Sequence, residues 1–261
     1  SQQLANQCRG HYSALLSMCD ARLGDILDEM DRLAMWDDTM LIVWTDHGFL
    51  LGEHDLWAKV QMPWYREIAN TPFFIWDPRA DKRGERRSAL VQPSIDLGPT
   101  LLDFFEMQST SDMIGQPLGD VIANNKTVRD AAIFGIHGGH VNVTDGRFVY
   151  MRAANNNENQ PLYNYTLMPT HMREMFPVEE FSGMALAPPF SFTKGCSLMR
   201  TENLRPPPQI SFETLLFDLE KDEWQSAPIT DPKQEERMTN MMRALMQACD
   251  APGEQFERLG I

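Results

Sequence analysis

The six residues Met40-Leu-Ile-Val-Trp-Thr45 run straight into an acid and an imidazole, Asp46-His47, and no other stretch constrains the fold as tightly. A short continuous apolar run suits a strand buried on both faces, as in a parallel sheet flanked by helices. Upstream, "HYSALLSMCDARLGDILDEMDRLAMW" spaces Leu15, Leu16, Leu23, Ile26, Leu27, Met30 and Leu33 near the helical period, with acids and arginines on much of the other face. Asp37-Asp38-Thr39 breaks that pattern before the strand. Helix, tight connection and buried strand make an α/β unit.

Downstream, "TPFFIWDP" reads as a second short strand closed by proline, and "RADKRGERRS" as a solvated loop. "SIDLGPTLLDFFEM" reads as a helix with Asp96 at its N-cap and Pro99 in its first turn. After about residue 120 the texture turns to short β-type runs, "AAIFGI", "HVNVT" and "RFVYMRA", the last two joined by Asp145-Gly146, a hairpin signal. Residues 154–208, rich in Pro, Asn and Met, read as a long loop that wraps the body or lines a site. "ETLLFDLEKDE" adds a strand and turn, and "KQEERMTNMMRALMQACDAPGEQFERLGI" an amphipathic helix and tail. The expectation is an α/β region over residues 1–122, then a smaller α+β subdomain over 123–261 with an antiparallel sheet and a terminal helix.

With 43% hydrophobic and 23% charged residues in 261, the chain has the composition of a soluble globular protein. Its net charge of −14 argues against a general nucleic-acid binder, although one local cation or metal suffices to attract an anionic small substrate. No apolar run approaches the roughly 18 residues of a membrane span. Cys8, Cys19, Cys196 and Cys249 form no C-x-x-C pair and no zinc pattern, and one or two bridges remain open. No signal peptide is visible near Ser1, and the compartment stays open.

In open parallel sheets ligands collect beyond the carboxyl ends of the strands, which is where Asp46 and His47 fall. Together they offer one oxygen and one nitrogen to a divalent cation. Neighbouring residues of an extended chain point opposite ways, so the backbone must bend for both to serve one ion, and Gly48 makes the bend easy. An isolated Asp-His-Gly more often caps a helix. Here Gly52, Glu53, His54, Trp57 and Lys59 extend it.

That longer stretch resembles the sulfatase family of the alkaline-phosphatase superfamily. One branch, iduronate-2-sulfatase-like and bacterial arylsulfatase, carries S-D-H-G-x-x-L-G-E-H-x-x-W-x-K. This chain reads T-D-H-G-F-L-L-G-E-H-D-L-W-A-K, with Thr45 in place of a common Ser. "YREIANTPFFIWDP" is similar to the family's Y-x-E-x-x-x-x-P strand, "PSIDLGPTLLDFF" to its D-L-x-P-T-L-L-D helix, and "LLFDLEKDEWQ" to a later turn, with Glu223 and Trp224 where Pro-Gly usually stand. The resemblance implies the C-terminal part of an alkaline-phosphatase-like α/β sandwich, followed by the small antiparallel sheet and terminal helix. It implies Asp46 and His47 as ligands of a divalent metal, usually calcium, with Asp46 also touching the nucleophile. Lys59 would bind the sulfate and ease departure of the alcohol, a task suited to a compact mobile cation in a dry site.

The family's formylglycine nucleophile comes from a C/S-x-P-S/A-R motif, which none of the four cysteines begins, and Asp37-Asp38 reads as a turn rather than the family's early aspartate pair. The expectation is therefore the C-terminal portion of a sulfatase-type enzyme acting on a sulfated small molecule or glycan. Alone it would be inactive, and it would need the missing segment or an oligomer to cover exposed apolar surface. Two rivals share the residues: a phosphonate monoester or phosphodiester hydrolase, and a non-catalytic glycan-binding remnant.

Secondary candidates are His137 and His140, which the resemblance aims at the substrate rather than the metal, and Lys194, read as a glycan contact or a plain loop lysine. His54 and Trp57 either act in the site or pack the loop that aims Lys59. His11 reads as structural, and His171 has no visible partner. The 17 methionines read as filler of core gaps. Sequons at Asn125, Asn142 and Asn164 matter only on a eukaryotic secretory route.

Overall fold

A computed structural model describes residues 2–59, 63–207 and 213–261. Pro208, the end of the expected long loop, lies outside them. In chain order the elements are α1 (Gln2–Arg32), β1 (Leu41–Trp44), β2 (Leu50–Leu51), β3 (Trp57–Ala58), α2 (Arg66–Ala69), β4 (Phe73–Trp76), α3 (Pro93–Phe104) and α4 (Gly119–Asn124). The second half carries β5 (Ala132–Gly135), β6 (Val141–Thr144), β7 (Phe148–Arg152), β8 (Tyr163–Thr166), β9 (Ala185–Ala187), β10 (Leu198–Glu202), β11 (Leu215–Asp218), α5 (Pro232–Ala248) and α6 (Gly253–Leu259). The mixed α/β character, the small antiparallel sheets and the terminal helices agree with the sequence reading.

The chain folds as two compact units, with no single boundary near residue 122. The first holds Ser1–Gln61, Arg66–Ala89 and Leu118–Val128; the second holds Met62–Tyr65, Leu90–Pro117 and Arg129–Ile261. Side chains far apart in sequence redraw the line. Arg87 Nε donates to the carbonyls of Val121 (3.0 Å) and Ile122 (2.8 Å), which ties α4 to the first unit. Asp96 pairs with Arg129 and Gln92 Nε2 donates to Ile133 O, which ties α3 to the second.

In the first unit, α1 exposes most of its apolar stripe: Leu4, Leu15, Leu16 and Ile26 lie in solvent, and Met30 alone is buried. The strand expected at Met40–Thr45 forms, but the parallel, doubly buried setting does not. β1 pairs antiparallel with β4, Leu41 opposite Trp76 and Trp44 opposite Phe73, and all four of its residues are half-buried. Among the described residues every ladder is antiparallel. With one strand partner, the apolar run is covered on one edge rather than enclosed. Asn125 ends α4 in the left-handed conformation (φ 53°), where its Oδ1 accepts from the amides of Ser88 and Ala89. The amide of that sequon is already committed to the fold.

In the second unit, β11, β7, β6 and β5 form a four-stranded sheet in that order. The Asp145-Gly146 hairpin forms as expected: Gly146 has φ +92°, and Asp145 Oδ1 accepts from the amides of Arg147 and Phe148. Helix α5 starts on Asp231, whose carboxylate accepts from the amides of Lys233 and Gln234. Met238, Met242 and Met246 repeat every four residues along it and are buried against Val143, Tyr150, Leu216 and Leu259, the gap-filling role expected of the methionines, whereas Met18, Met107, Met168, Met172, Met175 and Met184 lie in solvent, contrary to that expectation. Asn142 is fully buried in β6, its Nδ2 donating to Phe134 O, so this sequon is enclosed in the sheet.

The expected long loop is more ordered than its composition suggested. It contains a second sheet, β8-β10-β9, whose strands are too short and too widely separated to show a period. His171, which had no partner in the sequence, sits 2.8 Å from the buried carboxylate of Glu180, and Arg205 binds the same group at 3.1 Å. Helix α3 begins at Pro93 with Gln92 as its N-cap, so Asp96 lies inside it rather than capping it. Pro99 is internal for the same reason. Its missing amide frees the carbonyl of Ile95, and Gly115 approaches that oxygen so closely that a Cβ there would lie 1.9 Å away. All four cysteines are free thiols. Among the described residues no helix is long and apolar enough to cross a membrane.

Tyr165 of β8 donates to Glu254 Oε1 of α6 at 2.5 Å. Burial, then this bond, push its hydroxyl up to about 12. The neutral phenol is favoured in the fold, so this contribution is complete below the ordinary value of 10.0 and is lost as pH rises through about 12. Spectrophotometric titration near 295 nm should show one late phenol. Glu254→Gln should bring it down, and an unchanged curve would contradict this account.

Candidate functional site

The site begins where β1 stops. Thr45 Oγ1 donates to the carbonyl of His47 (3.2 Å), and Asp46 Oδ1 accepts from the amide of His47 (3.0 Å), so the chain folds back on itself within three residues. Gly48 completes the bend. Its amide donates to Ile68 O of α2 at 2.9 Å, and a Cβ built on it would fall 1.7 Å from Glu67 O. A side chain cannot enter without displacing α2. Gly48→Ala should therefore destabilise the first unit by about 1–3 kcal/mol and shift the His47 imidazole. Thermal unfolding together with the His47 ring NMR signals would show this, and wild-type values in both would contradict it.

This bend brings Asp46 and His47 to one side, as two ligands of one cation require. Asp46 Oδ2 lies 3.3 Å from His47 Nε2. His47 Nδ1 is 2.9 Å from Gly48 O, which can only accept, so Nδ1 carries the proton and Nε2 presents its lone pair. Lys59 Nζ, twelve residues on, donates to that lone pair at 2.9 Å. The three residues named from the sequence thus form one cluster. Asp46 and Lys59 are exposed, and His47 is half-buried.

Lys59 follows a two-residue ladder, Leu50 opposite Ala58 and Leu51 opposite Trp57. Gly52 turns it at φ +106°, and Glu53 Oε2 accepts from the amide of Leu51 at 2.5 Å. Helix α1 supports it from outside: Arg9 Nε donates to Leu51 O at 2.8 Å, its guanidinium lies 5.8 Å from the Trp57 ring centroid, and Tyr12 stacks on Phe49 at 5.8 Å. His54 faces Glu67, Nε2 to Oε2 3.4 Å, with 14% and 12% of their side chains exposed. His54 and Trp57 therefore pack the loop that carries Lys59. Sequence reasoning missed Arg9, Tyr12 and Glu67. Only Glu67 left a trace, inside the Y-x-E pattern.

His137 and His140 stand in the second unit. His140 is 1% exposed and its Nε2 donates to Glu213 O at 3.0 Å; burial, with Arg258 nearby, lowers its pKa and keeps the ring neutral. It is enclosed by protein, contrary to the substrate-facing expectation. His137 keeps an exposed surface, and partial burial followed by the Arg258 charge lowers its pKa too. Lys194, also there, lies 3.7 Å from Asp112 with most of its side chain in solvent. Among the described residues no group of three or more His, Cys, Asp or Glu side chains is arranged to hold a metal ion. Asp46 and His47 supply two donors, fewer than the six to eight oxygens calcium takes. They fit as part of such a site.

Residues 2–107 match the Sulfatase family model. N-acetylglucosamine-6-O-sulfatase of Bacteroides thetaiotaomicron is 34% identical over 120 residues, 46% of this chain and 21% of that protein. An arylsulfatase of Clostridium perfringens is 29% identical over 143 residues, 54% of this chain and 28% of that protein. A protein solved in complex with its substrate D-glucosamine-2-N,6-O-disulfate superposes with a TM-score of 0.62 at 19% identity, over 90% of this chain and 39% of that one, which shows a shared fold. The chain thus spans between about a fifth and two-fifths of the proteins it resembles.

Proposed function

We propose, for a chain whose residues 2–107 belong to the sulfatase family of the alkaline-phosphatase-like superfamily, that Asp46, His47 and Lys59 form the metal- and sulfate-facing part of a sulfate-ester hydrolase. The observation that carries this is the cluster itself: one imidazole nitrogen, His47 Nε2, with a carboxylate oxygen 3.3 Å away and an ammonium 2.9 Å away, at the end of β1. A divalent cation, calcium by the family resemblance, would supply positive charge to the non-bridging sulfate oxygens when bound. Asp46 and His47 would hold it, His47 through Nε2, whose lone pair the Lys59 ammonium would give up to the cation. Lys59 would place its ammonium against the sulfate and the departing alcohol oxygen, where charge grows in the transition state. Asp46 would also orient the nucleophile.

In this reading the nucleophile is a formylglycine supplied from outside these 261 residues, and this chain alone gives no turnover. The exposed stripe of α1 and the outer edge of β1 would then be covered by a further sulfatase segment or by a second copy. The substrate would be a sulfated small molecule or glycan, with a sulfated amino sugar as first choice given the neighbour bound to glucosamine disulfate. Among the two histidines, His137 keeps a surface able to reach a ligand, whereas His140 acts on the fold.

The test is hydrolysis of 4-nitrocatechol sulfate and of glucosamine 6-sulfate, against phenyl phosphonate monoester, by the protein that carries this chain. Sulfate release lost on chelation and restored by calcium is the expected result. Preference for the phosphonate ester would move the reading to phosphonate and phosphodiester chemistry. Glycan binding without any turnover would leave the binding-module reading in its place.

A further inference from the structure

We infer that Arg9 of α1 is a positioning residue for Lys59, an inference that rests on the sulfate-ester reading for its catalytic consequence but not for its geometry. The ladder that delivers Lys59 is two residues long on each strand, far below the length at which an isolated hairpin holds itself together. Backbone strain adds to the problem. Gly52 sits at φ +106°, and three residues with side chains, His54, Asp55 and Ala58, take φ of 54°, 57° and 78°. Ala58 immediately precedes Lys59. Conformations of this kind persist only when the surroundings over-determine them.

Arg9 provides that determination from a helix. Its Nε donates to the carbonyl of Leu51, the residue opposite Trp57 in the ladder, while its guanidinium lies 5.8 Å from the Trp57 ring centroid. One side chain therefore grips both strands of the hairpin two residues before Lys59. Gly52 is what lets it in: a Cβ at that position would lie 2.8 Å from the Arg9 guanidinium and 3.1 Å from the Trp57 ring. Arginine suits the place because its planar cation can donate at its edge and lie against an aromatic face together. Tyr12, one turn along the same helix, stacks on Phe49 just before the hairpin and fixes where α1 meets it. The end of this chain of contacts is the 2.9 Å bond from Lys59 Nζ to His47 Nε2.

The bond itself is the readout. In the 261-residue chain with 15N-labelled histidine, long-range proton–nitrogen correlation reports whether His47 Nε2 accepts a hydrogen bond. Arg9→Met should move Nε2 downfield toward the value of a free lone pair, with the other histidine signals in place, and Arg9→Lys should recover part of the change. Arg9→Ala, which keeps a good helix former at an exposed position of α1 and removes the guanidinium, should reproduce the Arg9→Met shift and decides the matter if Arg9→Met does not fold. A wild-type Nε2 position in folded Arg9→Met or in Arg9→Ala would overturn the inference. In the protein competent for turnover, Arg9→Met should lower kcat toward sulfate esters by about 100-fold, the scale of an ångström-sized misplacement, with a smaller change in KM. Unchanged kcat despite a moved Nε2 signal would leave the positioning intact and count against the catalytic reading of Lys59.

Discussion

Replacing Asp96 with alanine is expected to cost the second unit about 3–5 kcal/mol, a large fraction of a typical domain's stability. Asp96 has no solvent exposure, and its carboxylate takes four hydrogen bonds: from the amides of Gln92 (2.7 Å) and Gln116 (2.9 Å), and from both terminal nitrogens of Arg129 at 2.5 Å. Alanine would leave a guanidinium with 12% of its surface exposed facing no carboxylate, plus two amides to be satisfied anew. That penalty far exceeds the worth of an exposed ion pair. Because Asp96 joins the start of α3, residue 116 and Arg129, the loss should be cooperative. Urea unfolding should show a lower midpoint with the slope retained. A change below about 1 kcal/mol would mean that the network is not holding these segments together.

The second large effect is on chemistry. Lys59→Met, in the protein competent for turnover, should lower kcat toward sulfate esters by about 10²- to 10³-fold, the range seen when one donor to a developing oxyanion is removed. Lys59 is exposed, and its one strong contact among the described residues is to His47, so the fold should hardly notice the change. Methionine keeps the length of the stem and removes the charge. Lys59→Arg should not rescue fully, because a planar fork cannot replace a compact ammonium against the sulfate. A loss confined to KM would make Lys59 a binding residue with no special role in the transition state.

How much of this was legible in the sequence depends on the distance over which each feature is determined. The hairpin at Asp145-Gly146 and the methionine seam of α5 were readable because turn chemistry and helical period are local. The cluster of Asp46, His47 and Lys59 was readable as a spacing, and its geometry follows from one glycine that has no room for a side chain. The pairing direction of β1 was not readable, because an apolar run of this length looks alike in parallel and antiparallel surroundings. Nor was the N-cap of α3: the carboxylate of Asp96 is spent on Arg129, thirty-three residues away, and nothing near it says so. The three short strands hidden in residues 154–208 escaped for want of any period. Arg9 escaped for the same reason as Arg129, since its partner carbonyl is forty-two residues downstream.

The most direct test of the central claim is calcium binding and sulfate-ester turnover measured together, in the protein that carries this chain, for wild type, Asp46→Asn and His47→Gln. The account predicts calcium-dependent release of sulfate by the wild type, with calcium affinity and turnover falling together in both variants. Metal affinity and turnover that survive both substitutions would contradict it, and the cluster at the end of β1 would then be only a well-packed turn.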